Sequence, residues 1–548
     1  MIADVLPGET AVFTLYPSDG WRITGTDAEC AVLTTSQDGS SVQVTIPDVR
    51  YSGTVAVTAV YADRSIRYYA NGGIPVEGAS DGMEIPAGDK HLRVNTALGL
   101  FQRDGYTQIG WSLSADGIGE MISQGSRVSV GEGETLALYA CWQPWTQEAC
   151  FTWRQDGSGA TITGYTGSDA VLCIPETLGG LPVMGIADGA FAGVVCETVI
   201  LPETCRRIEN GAFAGCTVET LLFFDTLQAV YDGAFAGCDV LRTIRIQAAT
   251  SPVYSGTYYS TFADKMDRLL SMKDEKKIVL FSGSSTRFGS DSEAIDAAFT
   301  EYVVCNMGVF AYTNAVPQLL LIAQCMQEGD ILIDSPELDA AKRQFCTTNQ
   351  LDASFYKLIE ADYDLLSRLD VRELTGVFSA YHEYQASRSG MSARSYTLSA
   401  SDYDEDGTPV DTPSYNAYGD YILYRPDAED DAPIYGLAVP YTRAAYPYAQ
   451  YLEPYNAMCQ RFLDMGVRMF FTWSPRNRLA VSAESTPEEL EAFERYVTEG
   501  ITIPVLLPQS EALVSGPYLY GTDNHLSTNG VALHTARVIA ALQRVLTE

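Results

Sequence analysis

The chain has 548 residues, enough for several domains that each bury a core, and its 46% apolar content fits soluble globular folds. Seventy acidic against 35 basic residues give a formal charge of -35, and with no basic stripe to neutralise phosphates, DNA and RNA are excluded as partners. The 12 cysteines, at 30, 141, 150, 173, 196, 205, 216, 238, 305, 325, 346 and 459, form no CxxC pair and no zinc-site spacing, and so read as buried thiols.

No uninterrupted apolar segment is long enough to span a bilayer, and Met1-Ile2-Ala3-Asp4-Val5-Leu6-Pro7 lacks the charged and hydrophobic regions of a signal peptide. An extracellular or cell-surface location is therefore argued from the domains. Residues 1–60 alternate apolar and polar positions, as in Ala11-Val12-Phe13-Thr14-Leu15 and Ser41-Val42-Gln43-Val44-Thr45-Ile46, between Gly, Asp and Ser turns. That alternation predicts a small antiparallel β-sandwich, similar to bacterial immunoglobulin-like modules. Residues 61–146 carry Tyr68-Tyr69-Ala70-Asn71-Gly72-Gly73, Gly105-Tyr106-Thr107-Gln108-Ile109-Gly110-Trp111-Ser112 and Leu136-Ala137-Leu138-Tyr139-Ala140-Cys141-Trp142. These segments resemble, in order, the internalin B-repeat, a compact β module of bacterial surface proteins.

Residues 150–248 hold an internal repeat. Gly189-Ala190-Phe191-Ala192-Gly193, Gly211-Ala212-Phe213-Ala214-Gly215 and Gly233-Ala234-Phe235-Ala236-Gly237 recur at a spacing of 22, with Val199-Ile200-Leu201-Pro202, Leu221-Leu222-Phe223-Phe224 and Ile244-Arg245-Ile246 among them. Each unit offers one short strand and one turn that only stacked neighbours can bury, which predicts a solenoid of three or four units. The phrases resemble the leucine-rich repeats of BspA-like bacterial surface proteins. Cys216 and Cys238, one repeat apart, are expected to stack in its core. The solenoid serves as a spacer or as a modest binding face for a host or cell-surface ligand. Residues 249–275, opening on Ala249-Thr250-Ser251-Pro252, read as a linker.

From 276 to 548 strands and helices alternate: Ile278-Val279-Leu280-Phe281, a helix to Phe299, Val303-Val304-Cys305-Asn306, a helix through Leu319-Leu320-Leu321-Ile322, and Ile331-Leu332-Ile333. Met469-Phe470-Phe471-Thr472, a helix capped by Thr486-Pro487-Glu488-Glu489 and Ile503-Pro504-Val505-Leu506 follow. Alternation predicts a parallel sheet between helices, with the site beyond the carboxyl ends of the strands. There Ser282-Gly283-Ser284-Ser285 closes the first strand, and Thr522-Asp523-Asn524-His525-Leu526-Ser527-Thr528-Asn529-Gly530 sets a carboxylate and an imidazole before the last helix. One Ser, one His and one acid would make a triad.

These segments resemble the SGNH or GDSL-type hydrolases, especially the divergent branch that includes proteins of D-alanyl transfer to lipoteichoic acid. The resemblance covers about half the chain. It implies that Ser284 is the nucleophile, His525 the base and Asp523 the acid, with backbone N–H groups of Ser284 and Ala311 (in Asn306-Met307-Gly308-Val309-Phe310-Ala311) holding the oxyanion. Two departures stand out. Glu337, in Ile331-Leu332-Ile333-Asp334-Ser335-Pro336-Glu337, replaces the family's Asn donor, for which Asn416 is a candidate substitute; and Asp523 lies two residues before His525, not three, with Thr522 in the usual place. The implied activity is ester hydrolysis or acyl transfer, on O-acylated (for example O-acetylated) glycans or cell-wall polymers. The competing reading is an adhesion or scaffold protein whose hydrolase-like domain is inactive and binds a glycan.

His91, His382 and His534 read as structural. Residues 385–455 form an insertion crowded with tyrosines, Tyr396, Tyr403, Tyr415, Tyr418, Tyr421, Tyr424, Tyr435, Tyr441, Tyr446 and Tyr448 among them, that either pack a flap onto the sheet or line a sugar cleft. Asp402-Tyr403-Asp404-Glu405-Asp406-Gly407 copies half a calcium loop, but Pro413 stands where the bidentate Glu belongs, so a solvated turn is favoured and no metal is expected. With neither a phosphate loop nor a dinucleotide fingerprint, no cofactor is expected either.

Overall fold

The computed structural model describes residues 8–17, 21–26, 28, 30–35, 41–49, 55–61, 64–86, 93–131, 133–231, 233–254, 257–338, 348–391, 415–434 and 438–547. The calcium-like loop Asp402–Gly407, Pro413, His91, Cys346, Tyr396, Tyr403 and Tyr435 lie outside them. The chain divides into two compact units, one reaching Trp145 and including Gln247–Ala249, the other holding the rest.

The first unit is all β. Strand Val42–Val49 pairs antiparallel with Glu9–Leu15 and with Val32–Thr35, and Trp21–Thr26 pairs with Val57–Tyr61. A four-stranded sheet follows in the order Tyr106–Ser112, Thr135–Pro144, Ser65–Tyr69, Met83–Pro86, whose central pair is parallel. The three segments singled out in residues 61–146 thus meet in one sheet. Tyr68, Trp111, Leu138 and Ala140 are buried at its centre, and the Tyr68 and Trp111 ring centroids lie 4.9 Å apart. Gln247 belongs here, accepting from Gln124 N–H at 2.7 Å, so the expected solenoid end at 248 overlaps this unit.

In the second unit the repeats build two stacked ladders. Val171–Cys173, Thr198–Ile200, Thr220–Phe224 and Thr243–Gln247 form one sheet, and Phe151–Asp156, Gly159–Tyr165, Leu181–Ile186, Arg207–Ile208 and Ala229–Val230 are successive neighbours in the other. The GAFAG phrase has a physical reason. Its two glycines turn at positive φ, +68° at both Gly211 and Gly215, where other residues are strained, and this lays each Phe over the next. Phe191, Phe213 and Phe235 stack at 4.9 Å spacings, and Phe378 caps the stack at 4.5 Å. Cys216 and Cys238 are buried as expected, their thiols directed at the Phe191 and Phe213 carbonyls at 2.8 Å.

Beyond the repeats lies a parallel sheet of four strands, β1 (Lys277–Phe281), β2 (Val303–Asn306), β3 (Ile331–Asp334) and β4 (Arg468–Phe471), in the order β2-β1-β3-β4. Ile278, Leu280, Val304, Ile333 and Phe470 face one layer with Val538 and Leu542 of the last helix, while the alternate residues Val279, Phe281, Leu332 and Phe471 are buried on the other face. Both faces are covered, which is why the strands read as continuous apolar runs. The expected strand Ile503–Leu506 reduces to a single bridge between Phe471 and Val505.

The expected linker 249–275 contains a helix, α1 (Thr261–Ser271), which buries Phe262, Met266 and Leu269 on one face. The Ser-rich turn after β1 is itself a short helix, α2 (Ser284–Gly289), and α3 (Ser292–Ala298) follows with Asp291 as its N-cap. Further on come α4 (Ala315–Ala323), α5 (Val377–Arg388), α6 (Leu452–Asp464), α7 (Pro487–Gly500) and α8 (Thr528–Thr547). The predicted cap of α7 is present, Thr486 Oγ1 accepting from Glu489 N–H at 3.3 Å. Through α5 the sheet domain is tied to the solenoid: Tyr381 Oη donates to Leu227 O, and buried Arg388 pairs with Asp225 at 3.4 Å and Glu360 at 3.0 Å.

Candidate active site

Strand order reverses direction between β1 and β3: the chain runs outward from β1 to β2, then crosses back to β3. Such a switch point opens a crevice at the carboxyl ends of the strands. Ser284 follows β1 and Glu337 follows β3, so the two flank that crevice. The corner is tight. A Cβ on Gly283 would lie 2.6 Å from both Ala311 Cα and Glu337 Oε1, and one on Gly308 would lie 2.6 Å from Arg287 N.

Ser284 Oγ lies 2.8 Å from His525 Nε2. The histidine is held from both sides of its backbone, its N–H donating to Thr522 Oγ1 at 2.9 Å and its carbonyl accepting from Tyr520 N–H at 3.0 Å. Its ring packs on Phe288 with centroids 4.3 Å apart. Burial pushes the imidazole down to about 3, and the positive charges of Arg287 and Arg425 push the same way. Burial and the two guanidinium groups thus favour the neutral imidazole and oppose its protonation in the unliganded site.

Asp523 is placed differently from the triad expectation. Its Oδ1 accepts from Ile434 N–H at 2.9 Å and its carbonyl accepts from Asn477 N–H at 2.7 Å. The turn explains this: Thr522 Oγ1 collects the N–H groups of both Asn524 and His525, at 3.3 and 2.9 Å, and the residue between Thr522 and Asn524 takes its side chain to the 434 strand of loop.

Glu337 sits at the serine. Its Oε1 accepts from Ser285 N–H at 2.7 Å and lies 3.5 Å from Ser284 Oγ, while Oε2 accepts from Asn524 Nδ2 at 2.6 Å. The carboxylate thus occupies the corner beside Gly283, Ser284 and Ala311, where the oxyanion was expected. Asn416, the candidate substitute donor, lies elsewhere: its Oδ1 accepts from Tyr418 and Asp420 N–H groups and its Nδ2 donates to Asp420. Asp420 in turn holds Ser292 and Asn306, so Asn416 braces the scaffold.

Sequence reasoning missed Asn524 and Arg287. Asn524 stands between two residues that were singled out, and Arg287 lies three residues after Ser284, one helical turn on; spacing alone held both signals. The Tyr421 ring lies 4.7 Å from that of Phe288, and Tyr441 and Tyr446 are buried and pack on Phe493 of α7. His382 lies against Tyr231, and His534, on α8, is pushed down to about 4 chiefly by burial. Among the described residues no group of three or more His, Cys, Asp or Glu is placed to hold a metal ion, and no helix is long and apolar enough to cross a membrane.

The BspA type leucine rich repeat region matches residues 184–268 in six copies, which begins later than the expected 150 and runs into α1. Among solved structures the chain is similar to the leucine rich repeat protein TpLRR of T. pallidum, at 19% identity over 18% of this chain and 70% of that one, with a TM-score of 0.13. No curated protein matches the chain. The chain is thus a multidomain mixed α/β protein with a β-rich N-terminal part and a C-terminal parallel sheet between helices, and residues 184–268 are leucine-rich repeats of BspA type.

Proposed function

We propose that residues 276–548 form a serine esterase or acyltransferase resembling the SGNH hydrolases, carried by a bacterial surface or secreted protein and acting on O-acylated glycans. The observation that carries the reading is the 2.8 Å contact between Ser284 Oγ and a neutral His525 Nε2 at the switch point of a parallel sheet. In the forward step His525 Nε2 takes the Ser284 proton as Oγ bonds to the ester carbonyl carbon, and the carbonyl π pair moves to oxygen. Backbone N–H groups of Ser284 and Ala311 hold that oxyanion. Collapse breaks the C–O bond to the alcohol, which leaves with the proton from His525. Water or a second hydroxyl then attacks the acyl-serine, with His525 again as base. The surface location and the glycan substrate rest on the company of the BspA-type repeats and the internalin-like β module.

A specific observation favours the competing reading, an adhesion or scaffold protein with an inactive, glycan-binding hydrolase frame. Glu337 puts an acceptor where the oxyanion needs donors, and Asp523 spends Oδ1 on Ile434. Hydrolysis of a short-chain aryl acetate separates the two. The enzyme reading predicts turnover that falls about 10³-fold or more in Ser284→Ala and in His525→Ala. Turnover absent from the wild type, or unchanged in both variants, contradicts it.

A further inference from the structure

Arg287 is a charged group near the Ser284–His525 pair that the mechanism leaves unused. It is 8% exposed, and its Nε and Nη1 are buried with no hydrogen-bond partner. The guanidinium carbon lies 4.3 Å from the centroid of the Phe288 ring and 5.3 Å from that of Tyr258. Phe288 also packs on His525, so one aromatic ring touches both the guanidinium and the imidazole.

The neighbouring charges are engaged elsewhere. Lys265 Nζ donates to Gly308 O at 2.6 Å, and Arg425 donates to the carbonyls of Leu526, Tyr421 and Phe288. Asp420 accepts from Ser292, Asn306 and Asn416, and Glu337 from Ser285 and Asn524. A buried guanidinium with unmet donors is costly in a folded chain unless a ligand completes it. In a chain of net charge -35, Arg287 and Arg425 are both buried and near enough for the charge of each to oppose that of the other, and burial, with Arg287 beside it, pushes Lys265 down to about 7. The planar fork of arginine matches carboxylate and phosphate oxygens, and flanking rings hold it flat.

We propose that Arg287 is an anion-recognition residue: a carboxylate or phosphate group on the substrate binds its free guanidinium donors and so sets the acyl group over Ser284. The acylated polymer would then be acidic, a uronate-type or a phosphate-bearing glycan. The assignment of this anion to an acyl-bearing substrate rests on the hydrolase reading above; the anion site itself does not.

The test is binding of inorganic phosphate and of glucuronate to the full chain, followed by calorimetry, in wild type, Ser284→Ala, Arg287→Lys and Arg287→Gln. The expected result is that one of the anions binds wild type and Ser284→Ala alike and is weakened about 10-fold or more in Arg287→Gln, with Arg287→Lys, which keeps the charge without the fork, in between. The anion that binds more tightly identifies the source. Should Arg287→Gln fail to fold, the comparison of wild type with Arg287→Lys decides. Failure of both anions to bind wild type, or equal binding by the folded arginine variants, overturns the proposal. Arg287-dependent binding without any aryl acetate turnover would sink the hydrolase reading and leave the anion site standing.

Discussion

A carboxylate 3.5 Å from a serine hydroxyl and 2.7 Å from the next backbone N–H repels the negative charge that an acyl-transfer step develops there. Glu337→Gln keeps the size, removes the charge and supplies a donor, so it is expected to raise aryl acetate turnover about 10-fold or more; a fall of similar size would instead make Glu337 a working member of the site. Asp334, at the end of β3, gives a second prediction. It is fully buried, Tyr455 Oη donates to its Oδ2 at 2.8 Å, and burial pushes it up from 3.8 to about 7. The folded chain therefore keeps a proton that the unfolded chain has lost between those values. Stability falls as pH rises through that window and is level above it. Asp334→Asn is expected to flatten this slope, a difference of roughly a few kcal/mol between acid and neutral pH in denaturant midpoints. An unchanged slope in the variant contradicts the assignment.

Among the elements, the repeats were the most legible, because a 22-residue period with fixed glycines and one Phe per unit is a local signal. Phe213 is fully buried between two rings, and Phe213→Ala is expected to cost about 3–5 kcal/mol in equilibrium unfolding, with aryl acetate turnover unaffected at temperatures where the variant stays folded. The sheet was legible for the same kind of reason, as β1, β2 and β3 are buried on both faces and read as apolar runs. Helix α1 was passed over because turn formers dominate residues 249–256, although Phe262, Met266 and Leu269 already carried a helical spacing. The Ile503–Leu506 strand was overestimated, since its one bridge depends on an edge that β4 offers only at Phe471. At the candidate site, type and order single out Ser284 and His525, whose side chains lie 2.8 Å apart. The partner of Glu337, the turn that redirects Asp523 and the isolation of Arg287 arise from contacts between residues far apart in sequence, such as Asn524 with Glu337.

On the scale of the whole molecule, a net charge of -35 stands against buried Arg287 and Arg425 beside the Phe288 ring, so long-range charge and local recognition of an anion oppose each other. Solenoid and sheet domain are joined by buried contacts at Arg388, Tyr381 and the Phe378 cap. The repeats therefore form a fixed wall beside the parallel-sheet domain within the second unit. The claim that this domain is a serine hydrolase is tested most directly by reacting the full chain with a serine-directed fluorophosphonate and mapping the adduct by mass spectrometry. The account predicts a single adduct on Ser284, absent in Ser284→Ala and strongly slowed in His525→Ala. No adduct on the wild type, or one that persists in Ser284→Ala, would contradict it and favour a binding protein built on a hydrolase frame.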